Sequence, residues 1–195
     1  MLSSRKRHPP KKTERGIGKR ALLFLIPLLL AIVVIAYVAS RPAEPFSAAV
    51  GDIAPDFQLQ VVGPDGLTGE TVRLSSFRGK VVLLEFMVSW CGVCQRVAPA
   101  LESLREEYEP RGVVFISVAG TQRGANEEST ATFIKEYGSK WTYGLDSDNS
   151  VFSRYNVEAT PTFFIIDANG KVASTFRGVT TTQAFSSALD AALSS

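Results

Sequence analysis

A chain of 195 residues has room for one domain of ordinary size plus a tail. Its formal net charge of +2 hides an uneven placement: up to Arg20, eight basic residues (Arg5, Lys6, Arg7, Lys11, Lys12, Arg15, Lys19, Arg20) stand against Glu14 alone, whereas 13 basic and 18 acidic residues follow. A nucleic-acid-binding domain is excluded on this ground, because the basic residues are not gathered on the part of the chain that has a core to bury.

Residues 1–20 offer few apolar side chains and are expected to form a disordered basic tail. Ala21 to Ala39 are 19 positions without a charge. As a helix rising ~1.5 Å per residue they would just cross a hydrocarbon core of ~30 Å. With the basic cluster before this span and Arg41 just after it, the tail is expected in the cytoplasm and the remainder of the chain on the other side of the membrane. A cleaved signal peptide is the competing reading, since Val38-Ala39-Ser40 supplies small residues at a cleavage spacing. The apolar run, however, exceeds the ~7–15 residues of a signal core. Residues 40–49, with Pro42 and Pro45, read as a stiff linker, and 50–195 as the folded domain.

Phe57, Leu59 and Val61 alternate as in a strand; Gly63-Pro64-Asp65-Gly66 is a turn, and Thr71 to Arg73 can return as a second strand. Val81 to Val88 is apolar on both alternating faces except at Glu85, the pattern of a central covered strand. Val97, Leu101, Leu104 and Tyr108 then recur at helical spacing, and the helix should end before Pro110. Val113 to Val118 reads as another buried strand, and Asn126 as the cap of a helix reaching about Tyr137. A short strand over Trp141 to Leu145 and a short helix over Ser150 to Tyr155 follow. Thr162 to Asp167 is the next strand, Asn169-Gly170 a hairpin signal, and Val172 to Phe176 the returning strand. Thr180 or Thr181 caps a final helix that buries Ala184, Phe185, Ala188 and Leu189. Strands alternating with helices in this order make an α/β layered domain.

The only two cysteines, Cys91 and Cys94, lie between the central strand and the helix after it. A helix N-terminus stabilises a thiolate through its unpaired N–H groups and its dipole, so Cys91 is placed to be a nucleophile. Cys94, one turn on, shares its face and can resolve a mixed disulfide on Cys91. A zinc site needs four ligands, and the single histidine, His8, precedes the apolar span. Covalent haem needs histidine after the second cysteine, where this chain has Gln95. No cofactor is expected beyond the redox-active cysteine pair.

Phe86, Trp90-Cys91-Gly92-Val93-Cys94, Val97-Ala98-Pro99 and Leu101 together resemble the active-site strand and helix of the thioredoxin superfamily. Thr160-Pro161-Thr162 resembles its cis-proline loop. Gly51-Asp52-Ile53-Ala54-Pro55-Asp56-Phe57 and Phe77-Arg78-Gly79-Lys80 are similar to the redoxin branch, which includes membrane-anchored TlpA-like thiol–disulfide oxidoreductases. The resemblance covers the chain from about Val50 to its end. It implies a thioredoxin fold, a central mixed sheet flanked by helices, here extended by an N-terminal hairpin and preceded by one transmembrane helix.

The resemblance also implies roles by position. Cys91 attacks and Cys94 resolves. Pro161, if cis, presents the Thr160 backbone to an extended substrate segment. Trp90, with Gly92 and Val93 between the cysteines, completes the substrate surface. Glu85, six residues before Cys91 where thioredoxins carry a buried acid, is the candidate proton acceptor for Cys94, since burial raises a carboxyl pKa. Val93 departs from the proline usual in thioredoxins. Its restored N–H is expected to meet the Cys91 sulfur, lower that thiol's pKa and make the couple more oxidising.

The expected partners are thiols and disulfides of exported proteins, with a membrane partner for electron transfer; the direction of electron flow stays open. Two other readings remain beside this one. A peroxiredoxin is similar in its redoxin-like opening, but that family has threonine three residues before the reactive cysteine, where this chain has Val88. A Cu(I)-binding adaptor would use the two soft thiolates, but copper chaperones of this fold add a downstream histidine, and none follows His8.

Overall fold

The computed structural model of the chain describes Leu30, Ile32 and residues 48–195. The expected basic tail, most of the apolar span with its possible cleavage site, and most of the linker lie outside the described residues. Among the described residues, no helix is long and apolar enough to cross a membrane.

From residue 48 onward the chain builds one seven-stranded sheet with helices against it. Its strands are β1 (Gln58–Gly63), β2 (Gly66–Arg73), β3 (Val82–Met87), β4 (Val114–Gly120), β5 (Thr142–Asp146), β6 (Thr162–Ile166) and β7 (Val172–Arg177). The helices are α1 (Gly92–Tyr108), α2 (Glu127–Tyr137), α3 (Ser150–Arg154) and α4 (Thr182–Leu193). The strand order is β2-β1-β5-β4-β3-β6-β7. β3, β4 and β5 run parallel, joined by helical crossovers, while the strands outside them pair antiparallel. The expected mixed sheet with an N-terminal hairpin is therefore present.

β3 is buried at every position, as its two-sided apolar pattern requires. On one face, Val81 and Leu83 pack with Val97, Leu101 and Leu104 of α1 and with Phe185 and Leu189 of α4. Leu84 and Phe86 belong to the other apolar cluster, where Phe86 meets the rings of Phe152, Tyr155 and Phe164 at 4.9–5.6 Å. Alternation along β3 thus puts Glu85 on the face that α1 covers, one pleat nearer the cysteines than Leu83.

Caps end the helices where side-chain chemistry predicts. Asn126 accepts from the Ser129 N–H at 2.9 Å, and Ser129 Oγ accepts from the Asn126 N–H at the same distance, a reciprocal capping box for α2. Thr181, not Thr180, caps α4. α2 also holds the hairpin tip, through Glu127 accepting from the Leu67 N–H and Lys135 pairing with Asp65.

Two local expectations are corrected. The Phe57/Leu59/Val61 alternation does not select the buried set in β1: Val62 joins the core and Val61 is half-buried, beside a register shift against β2 between Gln60 and Val62. The extra residues lie on β2, where Thr68, Gly69 and Glu70 stand opposite Val61 alone, while β1 keeps an unbroken register with β5. Asn169-Gly170 does lie in a hairpin, but not as the two-residue mirror-image turn that this pair favours. Only Gly170 has positive φ (78°), the Gly170 N–H bonds to the Asp167 carbonyl, and Asp167 pairs across to Lys171. The loop therefore has three residues and the register slips between Ile165 and Ile166.

Candidate active site

β3 ends at Met87, and a turn over Val88–Trp90 delivers Cys91 as the N-cap of α1. The backbone of Cys91 is extended (φ −73°, ψ 103°), which aims its side chain back over the first turn. There Cys91 Sγ accepts the Cys94 N–H at 3.2 Å, while the Cys91 carbonyl already takes the Gln95 N–H. No acidic residue sits in that first turn to repel a thiolate or compete with it for the positive end of the helix dipole. Cys91 and Cys94 are paired as a disulfide with Cα atoms 5.2 Å apart. Cys91 keeps a small exposed surface and Cys94 keeps none.

The Thr160–Pro161 bond is cis, and it begins the turn into β6 beside β3. Cys91 Sγ lies 3.4 Å from the Thr160 carbonyl oxygen. Both open onto a groove of about 540 Å³ whose walls include Trp90, Val93, Arg123, Phe152 and Thr160. Trp90 is 46% exposed, an unusual position for a large apolar ring unless something is to be bound. Its indole N–H is fixed by the Gln122 carbonyl at 3.0 Å, and the Arg123 guanidinium lies 5.6 Å from the ring centroid. Gly92 is exposed and Val93 half-buried on the same rim, so the structure brings all the expected substrate-surface residues around Cys91 except buried Pro161, which positions Thr160.

The Val93 N–H is not the donor that the sulfur uses. In the disulfide form that donor is Cys94, because an N-cap side chain in this extended conformation reaches the third helical N–H.

Glu85 is 2% exposed. Glu85 shares with Val81 and Leu83 the strand face that packs against Val97 and Leu101 of α1, the helix whose first turn carries Cys94. Burial pushes its carboxyl up to about 7, against a smaller lowering by the Ser117 hydroxyl, which donates to Glu85 Oε2 at 2.5 Å. Ser117 accepts in turn from the Trp141 indole N–H at 2.7 Å. The register pairs Glu85 with Ser117 and Ser117 with Tyr143, so a polar row crosses β3, β4 and β5 beneath the helices.

Sequence reasoning missed Ser117, Trp141 and Tyr143, as well as Gln122 and Arg123. The only available signal for the first was a lone serine inside an apolar strand. Among the described residues, no group of three or more His, Cys, Asp or Glu is gathered to hold a metal ion.

Residues 50–175 match the AhpC/TSA family. The thiol-disulfide oxidoreductase ResA of Oceanobacillus iheyensis is 32% identical over 173 residues, which are 88% of this chain and 85% of that protein. ResA of Geobacillus kaustophilus is 33% identical over 171 residues, 88% of this chain and 92% of its own. Among solved structures, the thioredoxin domain of a thiol-disulfide oxidoreductase from Bacteroides vulgatus has a TM-score of 0.59 at 27% identity, covering 67% of this chain and 90% of that one. The MTB protein dsbF, solved in mixed oxidized and reduced forms, has a TM-score of 0.60 at 26% identity, with coverage of 69% and 93%.

Proposed function

Because the chain belongs to the AhpC/TSA family and is a thiol–disulfide oxidoreductase of the thioredoxin superfamily, we propose that its Cys91–Cys94 pair exchanges with exported proteins from the outer face of the membrane. The uncharged Ala21–Ala39 span, with eight basic residues before it, supports an anchor whose tail is cytoplasmic and whose domain is not.

In the reducing direction, the Cys91 thiolate attacks one sulfur of a substrate disulfide. A Cys91–substrate bond forms, and the other substrate sulfur leaves as a thiolate. Cys94 then loses its proton to Glu85 and attacks Cys91 Sγ. The substrate is released with both sulfurs reduced, and two electrons have passed from the Cys91–Cys94 dithiol, now a disulfide. A membrane thiol carrier restores the dithiol. The oxidising direction runs the same steps backward. Trp90, Gly92 and Val93 form the rim against which the substrate segment lies, and Thr160, set by Pro161, offers its backbone to that segment.

The single observation that carries this reading is the asymmetry of the pair: Cys91 caps a helix in an open groove, while Cys94 is fully buried behind it. Redox titration of the full chain against glutathione buffers, followed by Cys91 alkylation, tests it. A reversible two-electron transition is expected, and its midpoint places the couple as reductant or oxidant. Irreversible or absent protection of Cys91 would overturn the proposal. The AhpC/TSA match also favours a peroxide-consuming alternative, which sustained peroxide turnover by the same preparation would establish.

A further inference from the structure

The indole N–H of Trp141 is a donor only, and it occupies a lone pair of Ser117 Oγ at 2.7 Å. Ser117 has one proton, and in this arrangement it points at Glu85 Oε2. A hydroxyl fixed as donor favours the ionised carboxylate, whereas one free to rotate could instead accept from the protonated acid. Trp141 is itself held, stacked on Tyr143 with centroids 5.5 Å apart and planes 25° apart. Ser117 is 0% exposed, so no solvent competes for its proton.

We propose that Ser117, locked by Trp141, is a positioning residue that keeps the buried Glu85 carboxyl ready to accept a proton during resolution by Cys94. This rests on the role given to Glu85 above and names what tunes it. A carboxyl buried in apolar surroundings without such a donor would be mostly protonated at neutral pH and a poorer proton acceptor. The value of about 7 is consistent with the two opposed influences, burial raising it and Ser117 lowering it.

Other groups around the carboxyl do not supply the same effect. From β5 comes Tyr143, whose phenol is pushed well up by burial first and by the Glu85 charge second, against smaller lowerings by the Ser139 and Ser117 hydroxyls; it stays neutral, and among the described residues it is the one other group that faces Ser117 Oγ. From β6 comes Phe163, which does not ionise. α1 brings the Cys91–Cys94 pair, and further along Glu102, which is already bridged to Arg105 and Lys140. Among the described residues, no cation forms an ion pair with Glu85.

The test uses the full chain with Ser117→Ala, Ser117→Thr, Trp141→Phe and Glu85→Gln. Two readouts are followed against pH: the Glu85 carboxyl signal by isotope-edited NMR, and the rate at which Cys94 releases a mixed disulfide preformed on Cys91. Ser117→Ala should raise the carboxyl midpoint by about one pH unit, the scale of one lost hydrogen bond to a charged group. Trp141→Phe keeps the stack on Tyr143 and should raise it less, in the same direction. Ser117→Thr should restore the native midpoint. The release profile should move with the carboxyl, while Cys91 alkylation keeps its own profile. A carboxyl midpoint unmoved in both Ser117→Ala and Trp141→Phe overturns the lock even if Glu85→Gln abolishes the pH dependence of release. If instead Glu85→Gln leaves the release profile unchanged, the role of Glu85 fails, and the proposal that tunes it for catalysis fails with it. The carboxyl titration alone then decides whether the Trp141–Ser117 pair sets the proton affinity.

Discussion

The two sulfurs of the pair live in opposite surroundings although only two residues separate them. Cys91 sits in a groove, with a helix N-terminus behind it, the Thr160 carbonyl in front and the exposed ring of Trp90 beside it. Cys94 is sealed, and the strand that leads to its helix begins a row of buried polar groups across the sheet, Glu85, Ser117 and Tyr143. The groove side solves a problem of access and charge: a nucleophile must be reached by a partner disulfide and leave as a stabilised thiolate. The sealed side solves a problem of timing. A resolving thiol must stay protonated until a mixed disulfide has formed, then lose its proton to something that water cannot bypass. Exposure serves the first sulfur and would spoil the second.

The largest effect should come from removing one sulfur at a time. Cys91→Ser should abolish reaction with a substrate disulfide. Cys94→Ser should leave the first attack intact and stop turnover at a covalent mixed disulfide, visible as a mass adduct that dithiothreitol removes. If Cys94→Ser failed to accumulate the adduct, or if Cys91→Ser accumulated it equally, the division between the two sides would be lost.

The next effect concerns stability on the sealed side. The folded carboxyl of Glu85 titrates near 7 rather than at its ordinary 4.5, so the native state binds its proton more tightly than the unfolded chain does. The contribution of this group to stability is then greatest below about pH 4.5, falls as pH rises from there to about 7, and levels off above, whereas Asp56 and Glu102, held below their ordinary range, contribute with the opposite sign at lower pH. The fall attributable to this one group is on the order of 3 kcal/mol. Glu85→Gln should remove that part of the slope, so that the variant gains on the parent as pH rises from 4.5 to about 7 in denaturant titrations. An unchanged slope would mean that the carboxyl is solvated and that the side is not sealed.

The groove side was far more legible in the amino-acid sequence than the sealed side, and the reason is physical. Cys91 at a helix start, Cys94 one turn later, and the caps at Asn126 and Thr181 depend on neighbours within four residues, where spacing translates directly into geometry. Glu85 was visible because a charge inside an apolar run is conspicuous. Its partners were not, since Ser117 faces it only through the parallel register of β3 and β4, and Trp141 reaches Ser117 only because β5 is inserted between β1 and β4. Parallel register is set by crossover helices and core packing, which leave no local mark. The bulge in β2 and the three-residue loop ending at Gly170 escaped for a related reason: extra residues shift a register without changing composition.

The smallest effect tests where the groove side draws its donor. Proline at position 93 would remove the N–H of the second helical residue and fix a φ that the first turn already uses. The donor that meets Cys91 Sγ belongs to Cys94, and that bond would survive. Val93→Pro should therefore move the reduction potential by less than about 15 mV, which is under about 0.7 kcal/mol for a two-electron couple. A fall of about 30 mV or more would return the role to the Val93 N–H. It would also mean that the reduced thiolate gathers two donors where the disulfide sulfur has one, so that the helix start tightens around Cys91 as it gains charge.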